Sequence, residues 1–205
     1  DQHSNVVVRT LAGGSNHEIG SDEFKGLHGI TVDDQGVVYV ADVQKHCIRK
    51  ITPDGHSTIL AGNGQSGFAD GPGLTAQFNG PHGIALDKRG NIYVADFHNN
   101  CIRKVTSDGF VSTLAGNLTP GFCDGLREDA LFNGPHGVAI DSKGDIYVLD
   151  IFNRRIRVIS TGEELMSVPD TLSPLVKEPV LEFSPEATPA LEHLVQSVKE
   201  DANNE

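Results

Sequence analysis

Short apolar runs rich in valine, isoleucine and tyrosine alternate with polar, glycine-containing turns, and the whole alternation restarts every 54 residues. A first strand is predicted at 29–33, 83–87 and 137–141, and a second at 38–42, 92–96 and 146–150. Between them lie Asp34-Gln35-Gly36, Lys88-Arg89-Gly90 and Ser142-Lys143-Gly144, chemistry that closes tight hairpins. A third strand is predicted at 47–52, 101–106 and 155–160. Asp54-Gly55 and Asp108-Gly109 then lead into a fourth at 57–61 and 111–115. Tyrosine and β-branched residues suit a pleated, half-buried surface, and no unit shows sustained helical periodicity. Four strands per unit in tandem predict an all-β chain folded as a β-propeller.

One template fits Pro81 to Asn99 and again Pro135 to Asn153: P-H-G-x-A-x-D-x-x-G-x-I-Y-V-x-D-x-x-N. The first copy is looser, with Leu27 for the proline, Thr31 for the alanine and Lys45 for the asparagine. The template, with YVAD at 39–42 and 93–96 and IRK at 48–50 and 102–104, resembles the NHL repeat. The connector GFADGPGLTAQFNGP (67–81) and its counterpart GFCDGLREDALFNGP (121–135) strengthen the likeness, which extends over about 6–160. The resemblance implies a propeller of four-stranded blades, six of them in most of the family. Here only three are found, at about 27–62, 81–116 and 135–160.

The ends of the repeat region complement each other. The third unit stops after its third strand, whereas 6–13 (VVVRTLAG) reads as an orphan outer strand like 57–62 and 111–116. Propellers close by such strand exchange, which removes open sheet edges. Three blades are too few for one ring. The plainest expectation is part of a longer array, and the alternative is a homodimer closing a six-bladed ring. Residues 161–205 change character, with five of the ten prolines, one aromatic residue and a net charge of −8. They read as an acidic, mostly disordered tail. Within it, 179–183 (PVLEF) could pair as a substitute strand and 189–199 has the spacing of a short amphipathic helix.

Charge narrows the classes of partner. The chain carries −12 overall and −4 over 1–160, so it lacks the basic footprint of a nucleic-acid binder. No apolar run approaches the roughly 18–20 residues that cross a bilayer, which argues against a membrane protein. Three cysteines without Cys-x-x-Cys spacing argue against a disulfide scaffold and point to a reducing, cytoplasmic setting. Cys47 and Cys101 share a repeat position and read as packed side chains.

The recurring histidines His28, His82 and His136 are the sharpest chemical signal. The first strand of each propeller unit lines the central channel, so these rings are expected to converge. Three neutral imidazoles could hold Zn²⁺ with one position open. The resemblance extends to peptidyl-hydroxyglycine amidating lyase, which implies zinc on channel histidines at these His-Gly positions. No match is found for that enzyme's catalytic tyrosine and arginine. The competing expectation is that the histidines are structural and that no cofactor is bound. Asp42, Asp96 and Asp150, with Arg49, Arg103 and Arg157, recur in every unit and read as a building device of carboxylate–guanidinium pairs. Asp33, Asp87 and Asp141 read as turn-initiating acids. Some NHL domains read RNA through basic clusters, but adjacent strand residues point to opposite faces, which splits each Arg-Lys pair. The favoured function is a propeller scaffold for another protein, with a zinc-dependent lyase or hydrolase and an RNA-binding domain as alternatives.

Overall fold

Residues 7–13 and 24–160 are described by the computed structural model. Eleven strands form three antiparallel sheets, each a meander in chain order. Blade 1 holds β1 (Leu27–Val32), β2 (Val38–Asp42), β3 (Cys47–Ile51) and β4 (Ser57–Ala61). Blade 2 holds β5 (Pro81–Leu86), β6 (Ile92–Asp96), β7 (Cys101–Val105) and β8 (Val111–Ala115). Blade 3 holds β9 (Pro135–Ile140), β10 (Ile146–Asp150) and β11 (Arg155–Ile159), with no fourth strand among the described residues. The fold is an all-β propeller arrangement, with three blades among the described residues. No helix of the described residues is long and apolar enough to cross a membrane.

The first hairpin of each blade is locked by its acid. Asp33, Asp87 and Asp141 each accept two backbone amides of the turn through Oδ1, from Gln35 and Val37, Arg89 and Asn91, Lys143 and Asp145. Their Oδ2 atoms take the hydroxyls of Tyr39, Tyr93 and Tyr147 at 3.2, 3.1 and 3.4 Å. Burial, with Asp87 beside it, pushes the Tyr93 hydroxyl up to about 12, so it stays a donor.

The core lies between blades. Tyr39, Ala41 and Ile48 of blade 1 pack against Ile84, Ile92 and Val94 of blade 2, with Phe78 of the connector wedged among them. Tyr93, Ala95 and Ile102 meet Ile146 and Val148 of blade 3 in the same way, around Phe132. Phe78 and Phe132 are fully buried, which is worth about 2–3 kcal/mol each in apolar transfer. On the equivalent face of blade 3, with nothing packed on it among the described residues, Tyr147, Leu149 and Ile156 are 39%, 47% and 71% exposed.

The inner strands start two residues earlier than the apolar pattern predicts, so each His-Gly pair falls inside a strand. The pairing steps out of register at that pair in every blade, between Leu27 and Ile30, between Pro81 and Ile84, and opposite the step from Val148 to Asp150. Such a bulge re-aims a side chain. Residues 7–13 form no strand, against the expectation for 6–13. They nevertheless occupy the place of an outer strand. A Cβ on Gly55 would lie 2.5 Å from the Leu11 carbonyl oxygen, just as one on Gly109 would lie 2.6 Å from that of Leu60. Val6 and the tail, including the sites read as a strand at 179–183 and a helix at 189–199, lie outside the described residues.

Candidate functional site

The His-Gly bulges bring three rings together because the glycines let neighbouring inner strands touch backbone to backbone. A Cβ on Gly29 would sit 2.7 Å from the Ile84 nitrogen, and one on Gly83 would sit 2.9 Å from the Val138 nitrogen. No larger residue fits there. The ring centroids of His28 and His82 are consequently 4.6 Å apart, and those of His82 and His136 are 4.8 Å apart. His28 and His136 lie 6.2 Å apart. One ring nitrogen from each falls within 4.8 Å of the others.

His82, in the middle, is the most constrained. Its Nδ1 lies 2.8 Å from the Gly80 carbonyl oxygen, and only an N–H can meet that acceptor. The Nε2 lone pair is therefore free for a proton, a hydrogen-bond donor or a metal. Burial, reinforced by His136, His28 and His98 nearby, holds its pKa below the ordinary histidine value despite the carbonyl contact. Phe97 lies 4.5 Å from the His82 ring and 6.1 Å from that of His136, and Phe152 lies 5.8 Å from Phe97. Phe152 is 62% exposed. The site is a mouth of imidazole and phenyl rings at the inner ends of the blades.

Asp42, Asp96 and Asp150 are placed elsewhere, in the joint between each strand and its connector. Asp96 accepts from Arg103 Nη1 at 2.8 Å, Asn99 Nδ2 at 2.9 Å and the Asn79 amide at 2.7 Å. Asp150 accepts from Arg157, Asn153 and the Asn133 amide in the same pattern. In blade 1, Asp42 meets Arg49 Nε at 3.2 Å. Arg103 also reaches the Gln77 and Ala69 carbonyls and Asp70, and Arg157 reaches those of Leu131 and Cys123 and Asp124. Each of these two guanidiniums lies between two phenylalanines, Phe68 and Phe78 or Phe122 and Phe132. The three aspartates and three arginines of these pairs are all buried. This leaves the arginines engaged with the frame rather than presented to a phosphate backbone.

Cys47 and Cys101 are buried and unoxidised, and burial pushes the Cys101 thiol up, while Cys123 is exposed. Phe97 and Phe152 were not among the candidates from sequence. They occupy different repeat positions, since Ile151 and not Phe152 corresponds to Phe97, and a search for recurrence passes over them. Asp70 and Asp124 were also missed, although each closes a recurring Gly-Phe-x-Asp of the connector.

The NHL repeat family profile matches residues 24–51, 78–105 and 132–159. Human NHL repeat-containing protein 2 is 30% identical over 164 residues, which is 74% of this chain and 23% of that protein. Human NHL repeat-containing protein 3 is 32% identical over 152 residues, 67% of this chain and 41% of that protein. Among solved structures, an auxiliary nutrient binding protein from Bacteroides thetaiotaomicron is 31% identical with a TM-score of 0.61, covering 65% of this chain and 37% of its own. One from Bacteroides ovatus is 29% identical with a TM-score of 0.60, covering 68% and 38%. The chain thus spans less than half the length of each of these relatives. With three repeats matched in sequence and three blades formed around the same His-Gly, Tyr-Val-x-Asp and Ile-Arg positions, the chain belongs to the NHL-repeat β-propeller family.

Proposed function

We propose that this chain is a propeller scaffold that binds another protein through the ring-lined mouth. The observation that carries this reading is the partition of side chains. The recurring ionisable pairs are buried in the frame, and the groups presented together at the inner ends are His28, His82, His136, Phe97 and Phe152. Aromatic and imidazole surface on a stiff support suits an apolar or aromatic side chain of a protein partner. The relatives add support, because this region is a minor part of longer proteins, as befits a recognition module. The test is selection from a displayed library of random peptides on the immobilised full chain, repeated with Phe97→Ala/Phe152→Ala. Enrichment of aromatic-containing peptides that the double variant no longer retains is expected. Equal enrichment on both proteins would overturn the reading.

A second reading rests on one observation, the convergence of three histidine nitrogens with His82 in the tautomer that frees Nε2. These residues fit a three-ligand zinc site with an open position. Zinc–nitrogen bonds of about 2.0–2.1 Å hold ligand nitrogens about 3.3–3.4 Å apart, so the rings would have to draw closer by rotation. A metal there would supply Lewis-acid chemistry, while His28, His82 and His136 would hold it and Phe97 would shield one side from water. Calorimetric titration with zinc chloride tests this. One zinc per chain, lost in His82→Ala, supports it, and absence of binding removes it.

A further inference from the structure

The dipeptide Asn-Gly occurs three times, at Asn63-Gly64, Asn79-Gly80 and Asn133-Gly134, and the fold treats the first differently from the other two. The second and third are clamped just before the inner strands of blades 2 and 3. Asn79 donates its amide to Asp96 at 2.7 Å, and its carbonyl accepts from the His98 amide at 3.0 Å. Gly80 donates to His46 Nδ1 at 3.1 Å, and its carbonyl accepts from the Phe97 amide at 3.2 Å. Asn133 and Gly134 repeat the pattern with Asp150, Phe152, Asn100 and Ile151. Every backbone donor and acceptor of these two dipeptides is thus engaged, and both glycines are buried.

The first dipeptide lies in the turn that leads from β4 into the connector, and residues 63–66 are all exposed. The Asn63 amide donates to the Ala76 carbonyl at 2.9 Å. The Asn63 carbonyl and both backbone groups of Gly64 meet no hydrogen-bond partner among the described residues. Asn63 Oδ1 accepts from the Gln65 amide at 3.0 Å, which keeps the side chain over the turn. Gly64 has φ +84°, and the nearest atom to a Cβ there is the Lys45 carbonyl oxygen at 3.9 Å, so nothing crowds its nitrogen. The counterpart in blade 2 is Asn117-Leu118, where leucine holds a similar φ of +73° and sets a side chain beside the same amide. Asn117 Nδ2 is also held, by the Glu128 carbonyl at 2.8 Å.

We propose that Asn63 is a modification site, at which the chain converts asparagine to aspartate and isoaspartate with water as the co-reactant. The Gly64 nitrogen gives up its proton and bonds to Asn63 Cγ. The Cγ–Nδ2 bond breaks, and ammonia leaves carrying that proton. The succinimide ring that results takes up one water. Addition at Cγ breaks the new bond to the Gly64 nitrogen and gives aspartate. Addition at the main-chain carbonyl carbon breaks the original peptide link and gives isoaspartate. Ring closure requires the Gly64 nitrogen to swing onto Cγ. An exposed turn with a free amide allows that rotation, whereas a dipeptide bonded on all sides must first open locally. Isoaspartate adds a methylene to the main chain and a negative charge at the residue that ties this turn to buried Ala76. The inference is independent of what the mouth binds.

The experiment holds the full 205-residue chain in mildly alkaline buffer at body temperature, either folded or in denaturing urea. Samples taken over days are read by peptide mapping with fragment-ion sequencing, which assigns the mass gain of exchanging an amino for a hydroxyl group to single residues. In the folded chain Asn63 is expected to react at least about tenfold faster than Asn79 or Asn133, because those two react only through opening of packed structure. In urea the three should react at similar rates, since the dipeptide is the same. Asn63→Gln, whose longer side chain cannot close the same ring, should abolish the reaction at this position. Equal rates at the three dipeptides in the folded chain would overturn the inference. So would an Asn63 that stays unmodified in the folded chain while it reacts in urea.

Discussion

The Oδ2 atom of Asp96 accepts a hydrogen bond from Nη1 of Arg103 at 2.8 Å, and neither side chain is exposed to solvent. Desolvating such a pair is costly, and the pair persists because both carboxylate oxygens and most of the guanidinium find partners. The Asn79 amide and Asn99 also hold the carboxylate, and the Gln77 and Ala69 carbonyls with Asp70 hold the two terminal nitrogens of the guanidinium. The arrangement ties strand, turn and connector of one blade into a single joint.

Breaking that joint from the carboxylate side is expected to be severe. Asp96→Asn leaves Arg103 buried beside one partly exposed acid, and a loss of about 3–5 kcal/mol is expected in urea unfolding. Asp124→Ala removes a shorter contact, 2.6 Å to Arg157, but Asp124 is 79% exposed, and its loss is expected to cost less than about 1 kcal/mol. Similar costs for the two variants would mean that the buried pair is not the element holding the connector.

Gly83→Ala is expected to destabilise the chain by about 2–3 kcal/mol, because the added methyl meets the backbone of Gly137 and Val138. Gly90→Ala is the control. Its φ of +82° strains any L residue, but the nearest atom is 3.5 Å away in a side chain, and a cost of about 1 kcal/mol is expected. Thermal unfolding of both variants orders the two effects, and a larger loss at Gly90 would contradict the close approach of the inner strands.

Stability is expected to fall on mild acidification. His82 in the folded chain titrates below its unfolded value of about 6.5, held down chiefly by burial. Between the two values the unfolded chain binds the proton more readily, so stability rises with pH there and is fully present above about 6.5. His46 is lowered by burial too and adds in the same direction. Urea midpoints at pH 7.5 and 5.5 check this, and His82→Gln should reduce the difference. A midpoint unchanged or higher at pH 5.5 would contradict it.

Most of the frame is legible in the sequence, because a 54-residue recurrence repeats the same physical demand three times. Tyr39, Asp42, Arg49 and their counterparts stand out for that reason. The inner-strand start at Leu27, Pro81 and Pro135 was less legible, since a bulge at His-Gly interrupts the period-two pattern that marks a strand. The mouth was only half legible. The three histidines recur, whereas Phe97 and Phe152 reach the same place from different repeat positions. The outer strand expected from the Val-rich run and Leu11-Ala12-Gly13 is not formed, because a strand depends on pairing that local sequence does not encode, and residues 7–13 pair with no strand among the described residues.

The central claim is that the recurring Asp–Arg pairs build the frame and the rings at the inner ends do the binding. Its most direct test is to measure thermal unfolding and retention of a mouth-selected peptide in parallel on two variants, Phe97→Ala/Phe152→Ala and Asp96→Asn. The expected result is a folded, cooperative double variant with peptide retention reduced at least tenfold, beside an Asp96→Asn protein whose melting temperature drops by several degrees. Full peptide retention by the phenylalanine variant, with Asp96→Asn stable but unable to bind, would place the recognition surface on the frame and contradict the account.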